Sequence, residues 1–96
     1  MSDMHNAKVA YIFSALEKAE VSFTDFTRLT RISRESLYRW RGGAPIKDML
    51  RLDLAYTYAL RLEKACRAGK LPLANRLKAV QRLATLRKII TEMSAK

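Results

Sequence analysis

Ser22 and Ser33 each carry a helix-start signal, and the stretch between them has room only for one brief helix and a turn. Ser22 is a capping residue, Asp25 stands at the far corner of a capping box, and Val21 and Phe26 occupy the two positions of a hydrophobic staple. Ile32-Ser33 repeats the pattern: Ser33 is a good N-cap, and Ile32 with Leu37 forms a second staple. The second of these helices ends before Gly42-Gly43, where missing Cβ atoms permit a left-handed exit. Two short helices over about 23–31 and 33–41, each with its own cap, cannot be one straight rod. They turn sharply on each other.

The flanking segments also read as helix. Val9, Ile12, Phe13 and Leu16 recur at helical spacing in a first helix over about 6–20. Pro45 suits the first position of a fourth helix and Gly69 suits its end. Between them the apolar residues Leu50, Leu52, Leu54, Tyr56, Tyr58, Leu60 and Leu62 alternate at strand period. The run is long for a strand, no second segment alternates to pair with it, and β-branched residues are nearly absent. The expectation is therefore a helix with much of its circumference buried. Pro72 opens a fifth helix to about residue 93, with a split apolar face. Leu73, Leu77, Val80 and Ala84 form one stripe, expected on the core. Ala79, Leu83, Leu86, Ile90 and Met93 form a second, with the alternating spacing of a coiled-coil seam. That seam (Leu83, Leu86, Ile90, Met93) is expected to face a twin subunit; a broad buried face in a monomer is the plainer alternative. The fold class is all-α, about five helices in a single domain, with a turn of two helices in 6–45 and a helical hairpin in 46–96.

The chain has 96 residues and a formal net charge of +10, from 19 Lys and Arg against 9 Asp and Glu. Such a field attracts nucleic acid, an anionic membrane or an acidic protein alike, so the position of the charge has to decide. Much of it lies on the third helix and its borders. With Ile32, Leu37 and Trp40 turned to the core, the opposite face shows Arg34, Glu35, Tyr38 and Arg39, with Ser33 and Ser36 near the helix N-terminus. A major groove admits one α-helix, and side chains of these types read its base edges. Arg34 and Arg39 can fork onto guanine, Glu35 can accept from cytosine, and Tyr38 can touch a thymine methyl or a phosphate. Arg28, Arg31, Ser33, Ser36 and Arg41 suit the DNA backbone. The plainer readings stand beside these: Trp40 as core, the arginines as a solvated surface, Glu35 paired to Arg31 or Arg39 at helical spacing. Nine more cations fall in 61–88, where the link Arg67-Ala68-Gly69-Lys70 offers a second backbone contact.

The segment FTDFTRLTRISRESLYRWRGG, from Phe23, resembles the helix-turn-helix of bacterial, phage and plasmid transcription regulators. Phe26, Ile32, Leu37 and Trp40 match its buried positions, Thr27 its small residue at the helix crossing, and Ser33 the cap of its recognition helix. Two positions depart from the pattern: Arg31 stands where Gly is common in the turn, and Thr30 where an apolar residue is usual, with Leu29 one place early. The resemblance implies a homodimeric, sequence-specific regulator of double-stranded DNA, reading a palindromic operator through the major groove. Repression by occluding a promoter is the default expectation, since these residues leave no segment over for effector sensing. Small phage packaging proteins join the same motif to oligomerising helices, so an architectural or protein-interaction module, or an RNA-binding protein, is the alternative.

Nothing in the sequence assembles catalytic chemistry. His5 is the only His, Asp3, Asp25, Asp48 and Asp53 have no metal-binding spacing, and no glycine-rich phosphate loop occurs. No enzyme activity, cofactor, metal or small-molecule substrate is expected. Cys66 is alone, which excludes an intrachain disulfide and suggests a half-buried, unreactive thiol. The residues at 1–8 have no signal-peptide pattern and no apolar run reaches membrane-spanning length, so the expectation is a cytoplasmic protein without a membrane partner.

Overall fold

Helix α1 (Asp3–Ala19) buries Ile12, Ala15, Leu16 and Ala19 on one face, with Val9 and Phe13 packed partly against them. It ends without a glycine. Glu20 takes a left-handed φ of 55°, and the Val21 N–H reaches back to the Leu16 carbonyl at 3.0 Å. That bond satisfies a carbonyl that a helix end leaves open. The chain then enters α2 (Phe23–Thr30), α3 (Arg34–Arg41), α4 (Met49–Arg67) and α5 (Ala79–Ser94). The computed structural model describes residues 3–73 and 77–94, with only the backbone of 3–5; the side chain of His5 and all of Arg76 lie outside the described residues. The described residues are all-helical and contain no strand. None of their helices is long and apolar enough to cross a membrane.

Helix α4 explains its own misleading alternation. Leu52, Ala55, Ala59, Leu62 and Ala65 are buried at helical spacing, while Leu50, at 83% exposure, Leu54 and Leu60 point outward. The fully buried residues lie on one face, where small alanines let α4 lie close along α1 with its Ala15 and Ala19. Met49, Tyr56, Tyr58 and Cys66 pack partly against the core, so much of the circumference is at least half-buried. Pro45 does not open this helix. The cap is Asp48, whose Oδ1 accepts from the Arg51 N–H at 3.1 Å, and Pro45 stays in the connection. At the other end Gly69 does act as expected: its φ of 78° lets the Lys70 N–H close on the Ala65 carbonyl at 2.9 Å.

Helix α5 turns to the core the stripe that was expected to face a twin subunit, while of the other stripe Leu73 packs partly against the core. Leu86 and Ile90 are buried in the chain's own core together with Ile89, and Leu83 and Met93 pack partly against it. Val80 is 81% exposed and Ala84 is exposed. The Leu83–Leu86–Ile90–Met93 seam therefore packs on α4 and α2 and is not left for a twin subunit. The helix also begins at Ala79, not at Pro72; the described residues just before it, Leu77 and Lys78, are not helical, and the Lys78 N–H is held by the Gln81 side chain at 3.2 Å. Starting the helix later frees the stripe built on Leu73 and Leu77 from any single helical face. Cys66 is partly buried, and that burial, with the nearby Glu63 charge, raises its thiol above the ordinary range. A thiol held in that form is a poor nucleophile.

Candidate nucleic-acid interface

The turn between α2 and α3 fixes how α3 is presented. Arg31 adopts φ 66° and ψ 16°, the left-handed conformation that glycine usually supplies, and its N–H bonds to the Thr27 carbonyl at 2.7 Å. A side chain in that region costs about 1 kcal/mol. Thr30 offsets part of it. Its buried hydroxyl donates to the Phe26 carbonyl at 2.9 Å and accepts from the Ile32 N–H at 3.1 Å, so the donor left over by the turn is satisfied inside the motif. Both departures from the motif's pattern thus act together: the threonine stitches shut a turn that the arginine strains.

The two caps have the expected serines. Ser22 Oγ accepts from the Asp25 N–H and Ser33 Oγ from the Ser36 N–H, each at 3.1 Å. The Ser33 hydroxyl is also bonded to that of Ser36 at 3.0 Å, which leaves the outer proton of the pair to Ser36. Asp25 does not complete a capping box. It is 2% exposed, and its carboxylate takes Arg82 of α5, with Oδ2 at 2.5 Å from Nε and Oδ1 at 3.3 Å from a terminal nitrogen. This two-point contact raises the Arg82 guanidinium pKa, chiefly through the hydrogen bond to Asp25 and then its charge. Arg87, farther along α5, donates to the Arg28 carbonyl at 3.0 Å, one of the open carbonyls in the last turn of α2. Helix α5 thereby grips α2 near both ends. The sequence carries no local signal for either contact, because the partners lie 57 and 59 residues apart.

On α3, Leu37 is fully buried and Trp40 nearly so, which places Trp40 in the core and not on a binding platform. Arg34, Glu35, Tyr38 and Arg39 are exposed on the outer face; Ser36 is half-buried; Arg28, Arg31, Ser33 and Arg41 are exposed around it. Glu35 forms no ion pair with Arg31 or Arg39 among the described residues. Nor do Arg28, Arg31, Arg34, Arg39 or Arg41 meet any carboxylate there. Tyr38 is less free than its exposure suggests. Its ring packs on Phe23 at 5.0 Å between centroids, Phe23 packs on Phe13 at 5.4 Å, and the Arg41 guanidinium lies 5.2 Å from both Phe23 and Tyr38.

Some of the cations elsewhere are differently placed, while Lys47, Arg61, Lys64, Lys78 and Lys88, like the α3 arginines, meet no carboxylate among the described residues. Lys8 pairs with Asp53 at 3.0 Å, Lys18 and Arg67 with Glu63 at 3.3 Å each, Arg51 with Asp48 at 2.9 Å, and Lys70 with Glu92 at 3.5 Å. Both cations of the Arg67–Lys70 link are thus compensated, which weakens their case as a backbone contact. Glu63 also accepts from the Tyr11 hydroxyl. That hydrogen bond is the main reason the Glu63 carboxyl titrates below its ordinary value, against its own desolvation. Burial, then the bond to Glu63, pushes Tyr11 up to about 12. Comparison with protein-family models, with curated proteins and with solved structures finds no match for this chain.

Proposed function

We propose that the chain is a sequence-specific double-stranded DNA-binding transcription regulator that inserts α3 into the major groove. The observation that carries this reading is the set of five exposed arginines on α2, α3 and their turn, none paired with a carboxylate among the described residues, around a short, separately capped helix. Glu35, Arg34 and Arg39 are the base readers, with Tyr38 at their edge; Arg28, Arg31, Ser33, Ser36 and Arg41 serve the backbone. Exposed guanidinium groups without internal partners keep all their donors for such contacts.

A homodimeric repressor on a palindromic operator belongs to the same reading. Two copies set their α3 helices about one DNA turn apart, or a multiple of that. A salt titration on duplex DNA tests the proposal. Binding through several phosphates weakens steeply with added salt, and footprinting on DNA next to the protein's own gene should give a symmetric protected site. Binding to duplex RNA in preference to DNA, or affinity indifferent to salt, would overturn it.

A further inference from the structure

Between the start of α2 and the outer flank of α3 runs an open groove lined by Ser22, Phe23, Thr24, Arg34, Tyr38 and Arg41. We propose that this groove is a phosphodiester-binding site in which Phe23 and Tyr38 position the Arg41 guanidinium for one DNA backbone phosphate. The inference rests on the DNA-binding reading and adds to it a built site and two positioning residues.

The geometry carries it in three steps. First, Phe13, Phe23 and Tyr38 form a continuous aromatic row from α1 through α2 to α3, so the two rings against Arg41 are themselves anchored. Second, Arg41 rests its cation on both rings, 5.2 Å from each centroid. Cation–π contact holds a guanidinium without necessarily using its N–H donors, and restrains a side chain that otherwise loses much rotamer freedom on binding. Third, neither Arg41 nor Arg34 on the groove's other wall forms an ion pair among the described residues, although Glu17 and Glu20 line the neighbouring cavity on the far side of Arg41. A phosphate suits this place better than a base edge. Arg41 is the last residue of α3 and is held against the Phe23 ring at the start of α2, beyond the base readers Arg34, Glu35 and Arg39. Phe23, which packs at the start of α2 and looks like ordinary apolar filling in the sequence, becomes part of the interface.

The test uses the full chain and a random-sequence DNA duplex, since a phosphate contact is indifferent to sequence. Affinity is followed across a salt series for the unaltered chain, Arg41→Ala, Phe23→Leu, Phe23→Tyr and the Phe23→Leu/Arg41→Ala double variant, with thermal unfolding as the check on folding. Arg41→Ala should lower the slope of log affinity against log salt by about 0.9, the loss of one phosphate. Phe23→Leu should weaken binding about two- to fivefold, the worth of an exposed cation–π contact. Phe23→Tyr should bind as the unaltered chain does, and the double variant no worse than Arg41→Ala alone. If Phe23→Leu fails to fold, Tyr38→Leu on the exposed ring gives the same reading. Unchanged affinity in Phe23→Leu or Tyr38→Leu, or losses that add in the double variant, overturn the positioning role. An unchanged slope in Arg41→Ala, with salt-dependent binding by the unaltered chain, overturns the site alone. No salt-dependent binding by the unaltered chain overturns the site together with the DNA-binding reading.

Discussion

In α5, Arg82 and Arg87 turn toward α2, one onto the Asp25 carboxylate and the other onto the Arg28 carbonyl. In α3, Arg34, Arg39 and Arg41 have no such partners among the described residues and stand on the surface. The side chain is the same and the helices are neighbours of the same α2, yet one set holds the fold and the other is left available. A net charge of +10 does not distinguish them. What separates them is whether a carboxylate or an open carbonyl lies within reach, a property of the packed chain and not of composition.

The sharpest way to break this comparison is to remove arginines from each side. Arg34→Ala with Arg39→Ala should reduce discrimination between an operator and random duplex by about 1–3 kcal/mol for each base no longer read. Urea unfolding of the same variant should shift by no more than about 0.5 kcal/mol, as for surface positions generally. Operator preference that survives the double change would mean the reading face is elsewhere. Arg82→Ala should behave in the opposite manner. It leaves a carboxylate whose side chain is 3% exposed without its cation and should lower stability clearly, read as a fall in the urea midpoint. Asp25→Ala should cost less, since the Arg82 side chain is 35% exposed and can hydrate. Equal costs for the two would argue against a buried, unpaired Asp25 as the cause.

Arg31→Gly tests a residue that belongs to both sides. Relief of its left-handed backbone should raise stability by up to about 1 kcal/mol, while removal of the cation should weaken duplex binding without changing which site is preferred. The smallest effects are expected on the α1–α4 flank. Lys18→Ala should alter both stability and DNA affinity little, because its partner Glu63 keeps Arg67 and Tyr11 and the lysine is exposed. Glu63 should instead be visible in acid. Its folded pKa lies below the ordinary 4.5, so its contribution is complete above about pH 4.5 and is lost as the pH falls through the lower folded value. Glu63→Gln should flatten that limb of the stability profile. An unchanged limb would assign it to other carboxylates.

The parts of this arrangement that are legible in the sequence are those whose physics is local. Ser22 and Ser33 cap helices through bonds spanning a single turn, and Ile32, Leu37 and Trp40 are buried where periodicity puts them. The left-handed Arg31 is legible from its place where the motif's turn commonly has Gly, and Thr30 carries a usable signal in a hydroxyl beside that turn. The facing of α5 was not legible. Two stripes of similar hydrophobicity lie on it, and the choice depends on where α2 and α4 stand. The small face of α4 was hidden for a related reason: Leu50 and Leu54 attract attention, while Ala55 and Ala59 do the packing. Asp25 shows the limit most plainly, since a capping box and a long-range ion pair ask for the same residue.

The Asp25–Arg82 pair also bears on the order in which the protein is made. Translation runs from α1 toward α5, so α2 and its aspartate leave the ribosome well before the cation that matches them. Until residue 82 has emerged, closing the helices around Asp25 would leave a buried carboxylate without its cation, which disfavours that packing. A chain cut short before α5 should therefore hold α2 less firmly, since it lacks both the Arg82 and the Arg87 contact.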